Sequence, residues 1–157
     1  MRRPGSGQRD RVLAAIEIPA LGIWAGALAA FAFVFAPQAF RLVAPLDVGR
    51  FATLIAQNVF ALTLWGYVLG GVALIAAIAR SVPASDRRWD LARAALIIVA
   101  LALATYQERG IMPAMAAVTD VHGEYYHALH AASTRVYGAV ALCVLIALVL
   151  AAARRDD

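Results

Sequence analysis

The sequence predicts an all-α integral membrane protein: a four-helix bundle whose helices extend beyond the bilayer on the outer face. Three observations predict it. The composition is 63% hydrophobic with a mean hydropathy of +0.74, too apolar for a domain with a water-exposed surface. The apolar residues fall in four long blocks, each able to supply the roughly 20 residues that cross the hydrocarbon. The 14 basic residues are all arginine and gather at the block ends, as the positive-inside rule requires. The same clustering accounts for the net charge of +4 through topology, so no nucleic-acid partner is expected. The length fits one domain over residues 1–157.

The first helix is expected over about residues 12–43. It follows an Arg-rich start, Arg2, Arg3, Arg9 and Arg11. Its apolar run is too long for the core of a cleaved signal peptide, so it reads as a retained span. Glu17 and Pro19 lie in its first turns, and Pro37 marks a kink near its far end. Gly22 and Gly26 form a small-xxx-small pair, expected to seat a neighbouring helix of the same chain. Pro45 and Asp47-Val48-Gly49 reverse the chain, with Asp47 as N-cap of the second helix, about 48–80. Gly66 and Gly70 repeat the small-xxx-small spacing there. A loop with Pro83 follows, and Ser85 or Asp86 caps the third helix, about 86–118, with Trp89 as an interface anchor. Thr119–Gly123 is the second polar reversal, and the fourth helix covers about 124–153. The lone Cys143 sits in the last apolar block. One thiol forms no internal disulfide and does not suit a thiol oxidase; a packing role is expected.

Each helix is about ten residues longer than a span needs, a projection of roughly 15 Å at 1.5 Å per residue. The projecting ends carry Arg41, Arg50, Gln57, Asn58, Gln107, Glu108, Arg109, Glu124, His127, His130 and Arg135. A polar layer shared by four helices at the outer face is expected, with Glu108 inward and paired to Arg135.

Three segments resemble a four-span family of unknown function that includes the transmembrane-protein-205-like proteins and many bacterial members. They are Leu21–Phe40, with Phe-Ala-Phe-Val-Phe-Ala-Pro-Gln-Ala-Phe; Tyr106 with Met112-Pro113-Ala114-Met115; and Tyr126-His127-Ala128-Leu129-His130-Ala131-Ala132-Ser133. The resemblance implies a four-helix membrane protein, of a bacterial inner-membrane kind, with His130 and Ser133 as signature positions. It implies no reaction. Tyr137 stands where the family often has Asn.

The chemistry-bearing residues concentrate between Tyr106 and Tyr137. His122, His127 and His130, with Glu124 and Asp120 nearby, offer ligands to a metal ion or haem iron. Met112 and Met115 share a helical stripe with Glu108 and add thioethers. The plainer alternative pairs His127 with Glu124 at i,i+3 and leaves His122 in solvent. Tyr126, His130, Ser133 and Tyr137 recur at i, i+4, i+7 and i+11, a polar seam that serves either a ligand or helix–helix hydrogen bonding. Glu108, Arg109 and Arg135 read as an ion-paired set or as part of a solute path. Glu17 reads as a proton-coupling carboxylate or as a partner for a neighbouring helix. No phosphate loop, nucleophile elbow or paired-carboxylate motif is present in the sequence, and an enzyme is not expected.

Three functions follow as alternatives. One is binding of a metal or small ligand at the outer layer around His130. Another is proton-coupled transport using Glu17 and the Glu108/Arg109 layer. The last is a non-catalytic subunit or scaffold joined to a membrane-protein partner or to a second copy.

The arginine balance generates the first testable outcome. The N-terminus, the stretch from Arg80 to Arg93 and the C-terminus hold ten arginines; Arg41, Arg50, Arg109 and Arg135 are the rest. Both termini are therefore expected in the cytoplasm. A cysteine placed at position 121 should react with an impermeant maleimide on intact cells. Reaction only after permeabilisation refutes the orientation.

Overall fold

The computed structural model describes residues 6–44, 46–81, 87–120 and 122–153. Arg2, Arg3, Pro45, Pro83, Ser85, Asp86, position 121 and the terminal Arg154-Arg155-Asp156-Asp157 lie outside the described residues. The fold is all-α, as expected, with four helical rods long and apolar enough to cross a membrane.

Rod α1 is α-helical over Ser6–Ala30, π-helical over Phe31–Phe35 and α-helical again over Ala36–Leu42. Rod α2 is unbroken over Val48–Ser81. Rod α3 is α-helical over Arg87–Tyr106, π-helical over Gln107–Ile111 and α-helical over Met112–Ala116. Rod α4 is unbroken over Glu124–Ala153. The Asp47 carboxylate accepts the Arg50 N–H at 2.9 Å, so it caps α2 as expected.

Proline explains the two π segments. Pro37 and Pro113 lack an N–H, and their rings clash with the carbonyl four residues back. The preceding turn widens instead: Ala36 N–H bonds Phe31 C=O, and Met112 N–H bonds Gln107 C=O, each five residues back. A kink at Pro37 was expected; the matching break before Pro113 was not.

The rods form a ring in which α1 and α3 each pack on α2 and α4. The diagonal pairs meet through isolated side chains, Glu17 with Arg93 and Thr63 with Tyr137. The chain is two hairpins of matching build. The π segments, the prolines and the starts of the second helices are each 76 residues apart, at 31 and 107, 37 and 113, 48 and 124. The buried stripes keep the same offset: Glu17 corresponds to Arg93, Leu21 to Ile97, Trp24 to Ala100 and Leu28 to Ala104. In α2 and α4 the offset is 74: Thr63 corresponds to Tyr137, Gly70 to Val144, Ala73 to Ala147 and Ala77 to Ala151. Both diagonal contacts therefore join corresponding positions, and an approximate two-fold axis runs along the bundle.

Lipid is as apolar as the core, so the helices gain little from hiding apolar surface and rely on close packing. Ile23, Phe60, Trp65, Ile75 and Leu142 accordingly point outward, each more than half exposed. The centre is held by Trp24, which lies in the notch of Gly66 and Gly70. A Cβ at Gly66 would meet Trp24 Nε1 at 2.9 Å, and one at Gly70 would meet the indole at 2.8 Å. The expected seat at Gly22 and Gly26 is corrected: a Cβ at either meets nothing within 4 Å, because α1 turns that face away from the bundle. The indole occupies the close approach that the first glycine pair was expected to provide.

Gly70→Val should destabilise the protein by about 1–3 kcal/mol, the usual cost of overfilling a packed site. Gly71→Val, where a Cβ meets nothing within 4 Å, is the matched control and should be near neutral. Thermal unfolding in detergent compares the two; equal effects exclude the notch as the packing centre.

Candidate functional site

Buried polar side chains gather at two levels. The first is near the end of the bundle that holds Arg80 and Arg93. Glu17 projects from α1, and its Oε2 accepts from Arg80 Nη1 of α2 at 2.7 Å. Glu17 Oε1 lies 2.5 Å from Arg93 Nε of α3, an ion pair without hydrogen-bond alignment. Arg93 Nη2 reaches Asp90 Oδ1 at 3.1 Å. Glu17, Asp90 and Arg93 are fully buried and Arg80 nearly so. Two carboxylates face two guanidiniums, so the cluster is neutral overall, the condition under which buried charge is tolerated. Arg9 Nη2 also donates to Ala79 C=O nearby.

The helix-partner alternative for Glu17 is the one realised in this geometry. Arg80, Asp90 and Arg93 were missed as its partners because arginines at helix ends read as topology markers. The available signal was spacing: Asp90 and Arg93 share a face at i,i+3 in the first two turns of their helix.

The second level lies beside the π segment of α3. Gln107 is fully buried, and its Nε2 donates to Ser133 Oγ of α4 at 2.7 Å. Thr63 of α2 and Tyr137 of α4 share a hydrogen bond of 3.1 Å. Tyr67 Oη donates to Thr105 Oγ1, joining α2 to α3 at 3.1 Å. The Gln107 Oε1 is buried with no hydrogen-bond partner among the described residues. The layer exists, but α2, α3 and α4 supply these side chains. At the position of Gln107, α1 has Phe31, stacked on Phe35 at 5.7 Å.

The remaining predicted residues sit as follows. Glu108 is half-buried and Arg109 and Arg135 are exposed. The expected Glu108–Arg135 pair is not formed: the ion pairs among the described residues are all in the Glu17 cluster. Gln107, one position earlier, continues the buried stripe of Arg93, Ile97, Ala100 and Ala104 and takes the inward place. Met112 and Met115 are half-buried. His122, His127, His130 and Glu124 are exposed, and the i,i+3 pair of Glu124 with His127 is not formed. No three His, Cys, Asp or Glu side chains converge as a metal site among the described residues. The seam divides in two. Ser133 and Tyr137 bond across to other helices, while Tyr126 stacks on His130 at 6.5 Å and meets the His127 ring edge-on.

Replacing Glu17 by Gln leaves Arg80 and Arg93 without their shared carboxylate. It should cost about 3–5 kcal/mol, as for a broken buried pair. The exchange Glu17→Arg with Arg93→Glu should not restore stability, because Arg80 and Asp90 would then face like charges. Unfolding in detergent reads both; a stable exchange variant contradicts the cluster's fixed polarity.

No curated protein and no solved structure matches the chain. A family match covers residues 20–124, from the first helix through the polar layer of α3 to the start of α4. The segment Tyr126–Ser133 lies beyond it. The chain belongs to the family described as a domain of unknown function, DUF4149.

Proposed function

We propose that the protein binds a small solute in the polar layer between its two hairpins, as a carrier or receptor in the membrane. One observation carries this reading: both first helices are interrupted at corresponding positions, and a buried polar side chain lies at one interruption. Paired interruptions in the two halves of a membrane protein are the usual mark of a site at the repeat interface. Beyond these breaks α1 packs chiefly on α2 of its own hairpin, and α3 on α4, which favours opening there. The arginine asymmetry supports an outward orientation for that end and cytoplasmic termini. In this reading Glu17 holds the opposite end together and does not shuttle protons.

The likeness to transmembrane-protein-205-like proteins in Leu21–Phe40, Tyr106–Met115 and Tyr126–Ser133 supports a bacterial inner-membrane protein and supplies no activity. His130 serves at the rim, exposed and stacked on Tyr126. A second reading, a scaffold that joins a partner or a second copy, is favoured by the outward small-residue face of Gly22 and Gly26.

The test is a thermal-shift panel of small polar solutes and metal ions on the purified protein in detergent. At least one solute should raise the unfolding midpoint saturably, and Gln107→Met should abolish that shift; a flat panel sinks the proposal. Metal analysis belongs beside it. A metal or haem present in wild type and lost in a folded His130→Gln variant would move the site to the rim.

A further inference from the structure

Electrostatics divides the bundle unevenly along its length. The buried guanidiniums, Arg80 and Arg93, are both at the Glu17 level and both ion-paired. The layer beside the α3 break has no buried cation among the described residues. What it offers is acceptors. Gln107 Oε1 is enclosed and unpartnered, because the amide's other end is held by Ser133. An enclosed carboxamide oxygen without a donor costs about 1–3 kcal/mol, and it has two lone pairs to give. The next residue along the same widened turn is Glu108, a half-buried carboxylate with no hydrogen bond or ion pair among the described residues. It lies within electrostatic range of Tyr137, the residue bonded to Thr63. An enclosed carbonyl oxygen and, at the next position of the same turn, a half-buried carboxylate therefore stand at the level of these hydroxyls, where no buried cation competes among the described residues.

We propose that this layer takes a small cation bearing N–H donors, of the ammonium or primary alkylammonium class, with Gln107 Oε1 accepting an N–H and Glu108 supplying the countercharge. The inference rests on the layer being a ligand site and adds the chemistry of the ligand. An ammonium group matches the acceptors in number and charge. A carboxylate or phosphate would meet the repulsion of Glu108, and a neutral amide would leave that charge uncompensated. The half-buried position of Glu108 gives the cation a polar entry before the enclosed oxygen. Arg109 and Arg135 stay exposed and do not compete within salt-bridge distance.

The experiment measures binding of methylammonium chloride to the full-length protein in detergent by calorimetry, with sodium chloride, sodium acetate and acetamide as comparison probes. Methylammonium should bind saturably where sodium and acetate do not. Glu108→Gln should weaken it about tenfold or more, the loss expected for one charge-assisted hydrogen bond. Gln107→Met, which keeps the volume, should remove the heat altogether. Glu108 is half-exposed, so its variant reports on the charge even if Gln107 variants fold poorly. Binding of acetamide or acetate without methylammonium overturns the ligand class and leaves the layer as a site. Methylammonium binding unchanged in Glu108→Gln overturns the countercharge. No heat with any probe, together with a flat solute panel, removes both proposals and leaves Gln107–Ser133 as a packing contact.

Discussion

A polar group inside a lipid-solvated bundle has no water to fall back on, and every part of this architecture answers to that constraint. Backbone groups are satisfied within helices. Side chains must find one another, and here they do so at two levels, the Glu17 cluster and the layer beside Gln107. Between those levels the contact is apolar and close, with Trp24 in its glycine notch. The two levels differ in kind. The first is an ion-paired cluster neutralised internally that joins three helices; the second is a set of single hydrogen bonds with an acceptor to spare. A bundle tied firmly at one end and lightly at the other is predisposed to open at the light end.

The helix interruptions strengthen that asymmetry. A π turn stores an extra residue and loosens the regular ladder, and it recurs at functional sites. Its appearance in both hairpins at the same distance from the proline gives the halves a common bending point. Phe31–Phe35 and Gln107–Ile111 share geometry but not chemistry: one side is aromatic, the other polar. In the proposed reading the site is lopsided, with hydrocarbon from α1 and acceptors from α3 and α4.

The fold was legible in the sequence because four apolar runs and arginine placement are strong, additive signals. Helix α2 and the Asp47 cap lie where the spacing put them. The site was legible only by region. Pairing depends on which residue of a turn faces inward; Gln107 continues the regular spacing of Arg93, Ile97, Ala100 and Ala104, and Glu108 was given the inward place on its charge and not on that spacing. Gly22–Gly26 and Gly66–Gly70 have the same spacing, and only the three-dimensional ring decides which pair meets an indole. The repeat was hidden as well: corresponding positions carry opposite charges at Glu17 and Arg93 and opposite sizes at Trp24 and Ala100, so comparison of residue types does not align them.

Those opposites have a consequence for assembly. Two copies of the first hairpin could not build this bundle, since Glu17 would confront Glu17. Two copies of the second would set Arg93 against Arg93. The hairpins are like lock and key cut from one blank, each useless with its own kind. Severed into separate chains, they would recombine only as an unlike pair.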